Sequence, residues 1–178
     1  MPKRDGSARR TALNARGAMK RAVLVFAAVM NLLLVDQAVK AWAAARLKGG
    51  APWVVWDGFF NLAYVENRGC AWGLLQGHVW PLAVFAVCAL VVIVWQRRKI
   101  FPRGLLGTVC ELLLLAGVLG NLVDRLWLGY VIDLFDFHWG VHHFPCFNVA
   151  DAFISVSAGL LVLMSFKSSE EPSGNGAS

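Results

Sequence analysis

Four apolar stretches, at about 22–41, 79–95, 105–122 and 149–166, constrain this chain more than any other feature. A helix needs roughly 20 mostly apolar residues to cross a hydrocarbon core of about 30 Å. Backbone polar groups in lipid must also be paired within the protein, which a helix does unaided. The pattern therefore predicts an all-α integral membrane protein with four transmembrane helices in one unit, residues 19–166. Hydrophobic residues make up 58% of the 178 positions, above the roughly 45–50% of soluble domains, so part of this surface must face lipid. The first stretch has a rival reading. Its basic head, apolar middle and the small residues around Ala41–Ala45 also suit a cleaved signal peptide, and pattern alone leaves the two open.

The net charge of +6 is unevenly placed. Lys3, Arg4, Arg9, Arg10, Arg16, Lys20 and Arg21 precede the first stretch, and Arg97, Arg98, Lys99 and Arg103 lie between the second and third. Basic clusters at helix ends follow the cytoplasmic bias of membrane proteins and argue against a nucleic-acid groove. Both termini and the 96–104 connection are then cytoplasmic, and the loops at 42–78 and 123–148 face outward. Residues 1–18 and 167–178 are polar and aperiodic and read as disordered tails. Pro52, Gly58, Gly69 and Gly73 punctuate β-favouring pieces at 53–56 and 62–65, which reads as a small extramembrane β-cradle with Trp and Phe at the interface. Residues 123–148 read as an outer loop, rich in charge and aromatics, over the site. Cys88 and Cys110 fall in apolar runs as packing residues. Cys70 and Cys146 share the outer side, where a disulfide is open but spacing does not place them together. No internal repeat of the kind seen in transporters is present.

Ionisable residues at membrane depth are costly and mark candidate sites. Here they are Asp36, Glu111, Asp124 and Asp151, with Asp133 and Asp136 in the adjoining loop. Glu111 lies in the inner part of the third stretch without a visible partner. Asp151 opens the fourth, where the bland reading is a carboxylate stabilised by the helix dipole, worth about 0.3–1 kcal/mol. Asp133 alone reads as an interfacial acid. Together they sit at the outer ends of helices three and four, and antiparallel neighbours can bring such ends within a few Å. Two close carboxylates share a proton, so one can activate water while the other protonates a carbonyl. Asp136 competes with Asp133 for that assignment. Arg125 can hold a substrate carbonyl or simply pair with Asp124 or a lipid phosphate. His142 and His143 lack a carboxylate at zinc spacing, Ser155 and Ser157 have no lysine at their end of the helix, and no phosphate or dinucleotide loop is present. Neither metal nor cofactor is expected.

Four segments, in order, resemble the lipoprotein signal peptidase (signal peptidase II) family. They are Asp36-Gln37-Ala38-Val39-Lys40; Phe59 through Trp72, with Asn67, Gly69 and Ala71 in the family's spacing; Gly120-Asn121-Leu122-Val123-Asp124-Arg125 with Gly129-Tyr130-Val131-Ile132-Asp133; and Phe147-Asn148-Val149-Ala150-Asp151 through Ile154. The resemblance implies a bacterial inner-membrane aspartyl endopeptidase with a retained first helix and an outer active site. Its substrates are diacylglyceryl-modified prolipoproteins, cut just before the lipidated cysteine without a metal. Asp133 and Asp151 match the catalytic pair, and Asn67, Arg125 and Asn148 match residues holding the substrate backbone. Asp36, Lys40, Gly69, Asn121 and Asp124 match the supporting shell. Sensitivity to the macrocyclic peptide globomycin is implied too, as is a monomer among membrane lipids. Trp72 and Leu74 can guide the lipid or serve as interface anchors. Two departures stand out: Ala116-Gly117 where the family often has two glycines, and Glu111 at a normally apolar place.

Overall fold

The computed structural model describes residues 5–69 and 75–169, with side chains over 15–69 and 75–166. In chain order the elements are α1 (Asp5–Leu47), β1 (Trp53–Trp56), β2 (Phe60–Asn67), α2 (Val79–Ile100), α3 (Leu105–Trp127), β3 (Val131–Trp139), β4 (His142–His143) and α4 (Val149–Ser169). All four helices contain a segment long and apolar enough to cross a membrane: Ala15–Leu47, Val79–Ile100, Leu105–Trp127 and Val149–Phe166. The expected four-helix membrane architecture with a small sheet is what the chain forms.

The helices overrun the expected spans. α1 has 43 residues, about 65 Å at 1.5 Å per residue. It starts at Asp5, so residues 5–18 are helical rather than the disordered tail expected there. Ala, Arg, Leu, Met and Lys dominate 8–21 and are strong helix formers, and extending an existing helix needs no new nucleus. At the other end Gly49, with φ +76°, accommodates the left-handed turn that stops α1, and its neighbour Gly50 donates its N–H to Leu47 O at 3.1 Å. α4 continues to Ser169; residues 1–4 and 170–178 lie outside the described residues.

α3 is the central helix and packs against α1, α2 and α4. Two glycines allow its closest approaches. A Cβ at Gly117 would stand 2.5 Å from Ala150 O and 2.7 Å from Ile154 Cγ1, and one at Gly120 would stand 2.6 Å from Asp36 Oδ2. The outward faces stay apolar, as at Trp80, Val84, Phe85, Val91, Val94 and Trp95 of α2, which suits a lipid surround.

The stretch read as an outer loop, 123–148, is largely ordered structure. Its first residues finish α3, and 131–139 form β3 in an antiparallel sheet of order β1-β2-β3-β4. The register sets Asn67 opposite Val131, Val65 opposite Asp133 and Phe60 opposite Phe137. Asp133 is therefore held on a strand, beyond the end of helix three rather than at it. Val131-Ile132-Asp133-Leu134 is buried on both faces, so the period-two alternation that reveals a half-exposed strand is missing. Leu134 packs on Ala43 and Leu47 at the outer end of α1. Phe60 and Phe137 stack at 4.5 Å, and Phe137 and Phe147 at 5.9 Å, which ties the sheet to the approach of α4.

At the opposite end, Glu111 has a partner after all. Arg97 Nε lies 3.1 Å from its Oε1. The two residues lie on either side of the short α2–α3 connection, Glu111 three residues deeper in its helix than Arg97, and the long arginine side chain spans the offset.

Candidate active site

The site is built where α4 begins. Asn148 caps the helix: its Oδ1 accepts from Asp151 N at 2.9 Å, while Asp151 Oδ2 accepts from Asn148 N at 3.2 Å. This reciprocal capping box fixes one oxygen of the Asp151 side chain by a local bond. Asp133 comes in from β3. It is 2% exposed, and its two oxygens accept from Asn148 Nδ2 at 2.7 Å and Asn67 Nδ2 at 3.0 Å. Asn148 Nδ2 also reaches Asn121 Oδ1 at 3.1 Å, and Asn121 Nδ2 donates to Asp151 Oδ1 at 2.7 Å. Two asparagine amides thus link the two carboxylates.

Burial pushes the Asp133 carboxyl up to about 7, and the negative charge of Asp151 pushes the same way, against the Asn67 and Asn148 donors. A carboxyl so placed keeps a proton near neutrality, as a general acid must.

Beneath the pair lies a buried cage. Lys40 Nζ contacts Asp36 Oδ2 at 2.9 Å, Asp124 Oδ2 at 3.0 Å and Asn121 Oδ1 at 3.2 Å. Gln37, part of the first motif but given no role from sequence, closes the cage by donating to Asp124 Oδ1 at 2.9 Å and Asp36 Oδ2 at 3.2 Å. Arg125 does not pair with Asp124, which Lys40 holds. Its guanidinium donates to Asn121 O and Gly69 O, each at 3.2 Å, and so joins α3 to the end of β2.

A cleft of about 1000 Å³ opens beside these groups. Its polar wall has Asn67, Asn121, Arg125 and Asp151, and its apolar wall includes Leu82, Phe85, Val118 and Ile154. Asp151 therefore meets the cleft directly. Asn148, expected to hold substrate, is fully buried and absent from the lining, its side-chain amide engaged on both sides. It holds the aspartates instead. Asp136 is occupied elsewhere, with His143 Nδ1 at 2.7 Å and Asn61 Nδ2 at 3.3 Å. Cys146 also lines the cleft, its thiol pushed up to about 12 by burial and then by the neighbouring aspartates. Cys70, Trp72 and Leu74, and with Cys70 any pairing to Cys146, lie outside the described residues. Among the described residues no group of three His, Cys, Asp or Glu is placed to hold a metal ion.

A sequence model of the family described as "Signal peptidase (SPase) II" matches residues 28–167. The chain belongs to the signal peptidase II family. Lipoprotein signal peptidases similar to it include that of Clostridium acetobutylicum, 38% identical over 135 residues, covering 75% of this chain and 86% of that protein. That of Shewanella loihica is 39% identical over 152 residues, covering 82% and 88%. Among solved structures, a bacterial membrane enzyme determined by the in meso method superposes with a TM-score of 0.76 at 28% identity, over 87% of this chain and 94% of that one. A second gives 0.70 at 30% identity, over 81% and 93%. As a signal peptidase II the chain is a multi-pass membrane protease, and the matched span contains every residue of the asparagine–aspartate cluster.

Proposed function

We propose that this signal peptidase II removes the signal peptide from prolipoproteins just before the diacylglyceryl-modified cysteine, with Asp133 and Asp151 as its catalytic pair. The observation that carries this reading is the linkage of the two carboxylates through Asn148 and Asn121, with Asp151 lining a largely apolar cleft and Asp133 buried. The relatives named above carry the activity in their own names.

The chemistry follows from one proton on two acids. The ionised carboxylate takes a proton from a water molecule, whose oxygen attacks the scissile carbonyl carbon. The protonated partner gives its proton to the carbonyl oxygen, and a tetrahedral diol forms. On collapse the proton taken from water passes to the departing amine nitrogen, the C–N bond breaks, and a diol hydroxyl returns its proton to the other carboxylate as the new carboxyl C=O forms, so the pair is again singly protonated. The pair titrates as a unit, so neither role belongs permanently to one residue. Arg125 and Asn67 present donors on the polar wall and orient the substrate backbone. Apolar side chains opposite them receive the signal helix or acyl chains. Globomycin, a cyclic peptide, occupies the same wall.

Residues 1–21 hold seven of the 17 basic residues and one acidic residue. This supports a cytoplasmic N-terminus, and with four spans a cytoplasmic C-terminus and an outward-facing site. All the groups used come from one chain, which supports a working monomer. The test is incubation of the purified protein in detergent with a diacylglyceryl-modified prolipoprotein, followed by mass spectrometry. The expected product begins at the lipidated cysteine. Intact substrate, or a cut elsewhere, contradicts the assignment.

A further inference from the structure

We propose that Lys40 is a positioning residue for peptide cleavage, registering the two aspartates and setting the pH at which they share their proton. The inference rests on the catalytic pair proposed above.

Lys40 is 1% exposed, within a cage whose other charges, Asp36 and Asp124, are equally buried. A buried ion pair is poor evidence of stability alone, since apolar packing can replace it. What singles this one out is where its partners lead. Asp36 turns its other oxygen to the backbone N–H of Ala150 at 2.8 Å, one residue before Asp151. Asp124 Oδ2 takes the N–H of Ile132 at 3.1 Å, one residue before Asp133. The lysine thus draws together two carboxylates, each gripping the backbone beside one catalytic aspartate. Its third contact, Asn121 Oδ1, belongs to the amide whose nitrogen donates to Asp151. An ammonium on the oxygen of an amide polarises the N–H at its other end and strengthens that bond to the ionised carboxylate.

Among the described residues, the charged and titratable groups around the pair are few. α1 supplies Asp36 and Lys40, α3 supplies Asp124 and Arg125, β3 supplies Asp136, which is engaged with His143, and the segment before α4 supplies the Cys146 thiol. Lys40 opposes proton uptake at Asp133, and the Asp151 charge favours it. Removing the lysine's charge makes the pair hold protons more tightly, and removing the charge of Asp36 does the reverse.

The experiment is the pH dependence of kcat and KM for prolipoprotein cleavage by the wild type, Lys40→Met, Lys40→Arg and Asp36→Asn, each first checked for folding by thermal unfolding. Lys40→Met should move the whole bell-shaped kcat profile upward by about one pH unit, with KM within about twofold. Asp36→Asn, which keeps a carbonyl for Ala150, should move it downward. Lys40→Arg, which keeps the charge, should leave its position unchanged even where kcat falls. Folded variants with an unmoved profile, or with both neutral variants moving the same way, overturn the proposal. Should Lys40→Met not fold, the direction found for Asp36→Asn decides alone: downward supports the role, and no movement overturns it. Failure of the catalytic pair itself is distinguishable, because Asp133→Asn and Asp151→Asn would then remain active whatever the lysine does.

Discussion

At the scale of single residues, the burial of Asp133 ties the fold to pH. Burial and the Asp151 charge push its folded carboxyl up to about 7, against 3.8 for the ordinary side chain. Between these values the folded protein holds a proton that the unfolded chain releases, so the stability it contributes is present below about pH 4 and is lost as pH rises toward 7. Unfolding temperature in detergent should therefore fall across that interval, and Asp133→Asn, permanently neutral, should remove most of the slope. An unchanged slope would place the proton on another group. Asn67 offers a second check. It donates to Asp133 Oδ2 from the wall of the cleft, and a bond to that carboxyl in its ionised form is worth about 1.5–3 kcal/mol. Asn67→Ala should lower kcat about tenfold to a hundredfold in a cleavage assay, and full activity would exclude that bond from the working site. The motifs singled out Asp133, Asp151, Asn67 and Asn148, and the structure brings these four together. The buried position of Asn148 was hidden, because a motif does not reveal which side of a residue faces solvent.

The elements explain how residues so far apart in sequence meet. Asp36, Asn121 and Asn148 converge because α3 lies against both α1 and α4, and Gly117 and Gly120 leave no side chain between them. Gly120→Val would push a branched side chain into Asp36 and the Ala150 Cβ, 3.1 Å from an added Cβ. Overpacking of this kind costs about 1–3 kcal/mol, so lower thermal stability and weaker cleavage should appear together. A variant as stable and active as the wild type would show that the contact is looser than described. The helices were legible from apolar length, since lipid imposes a strong pattern on about 20 residues at a time. β3 was not legible, because burial on both faces removes alternation and its two aspartates resemble loop punctuation. Nor was the Arg97–Glu111 pair, because Glu111 sits deeper in its helix than Arg97 does and only the long arginine side chain spans the offset.

Taken whole, the molecule is a central α3 with three helices around it and a sheet at one end, and its reactive groups lie where bundle and sheet meet. That placement suits a substrate anchored in the membrane, because Asp151 lines a largely apolar cleft and Asp133, itself buried, is tied to it through Asn148. The central claim is that Asp133 and Asp151 act as one catalytic unit and that Asp136, three residues further along the strand, does not. The direct test is the cleavage rate of a diacylglyceryl-modified prolipoprotein by the wild type, Asp133→Asn, Asp151→Asn and Asp136→Asn, each shown to be folded. That pairing predicts no detectable cleavage by the first two variants and substantial activity in the third. Turnover at the wild-type rate by either Asp133→Asn or Asp151→Asn would contradict it.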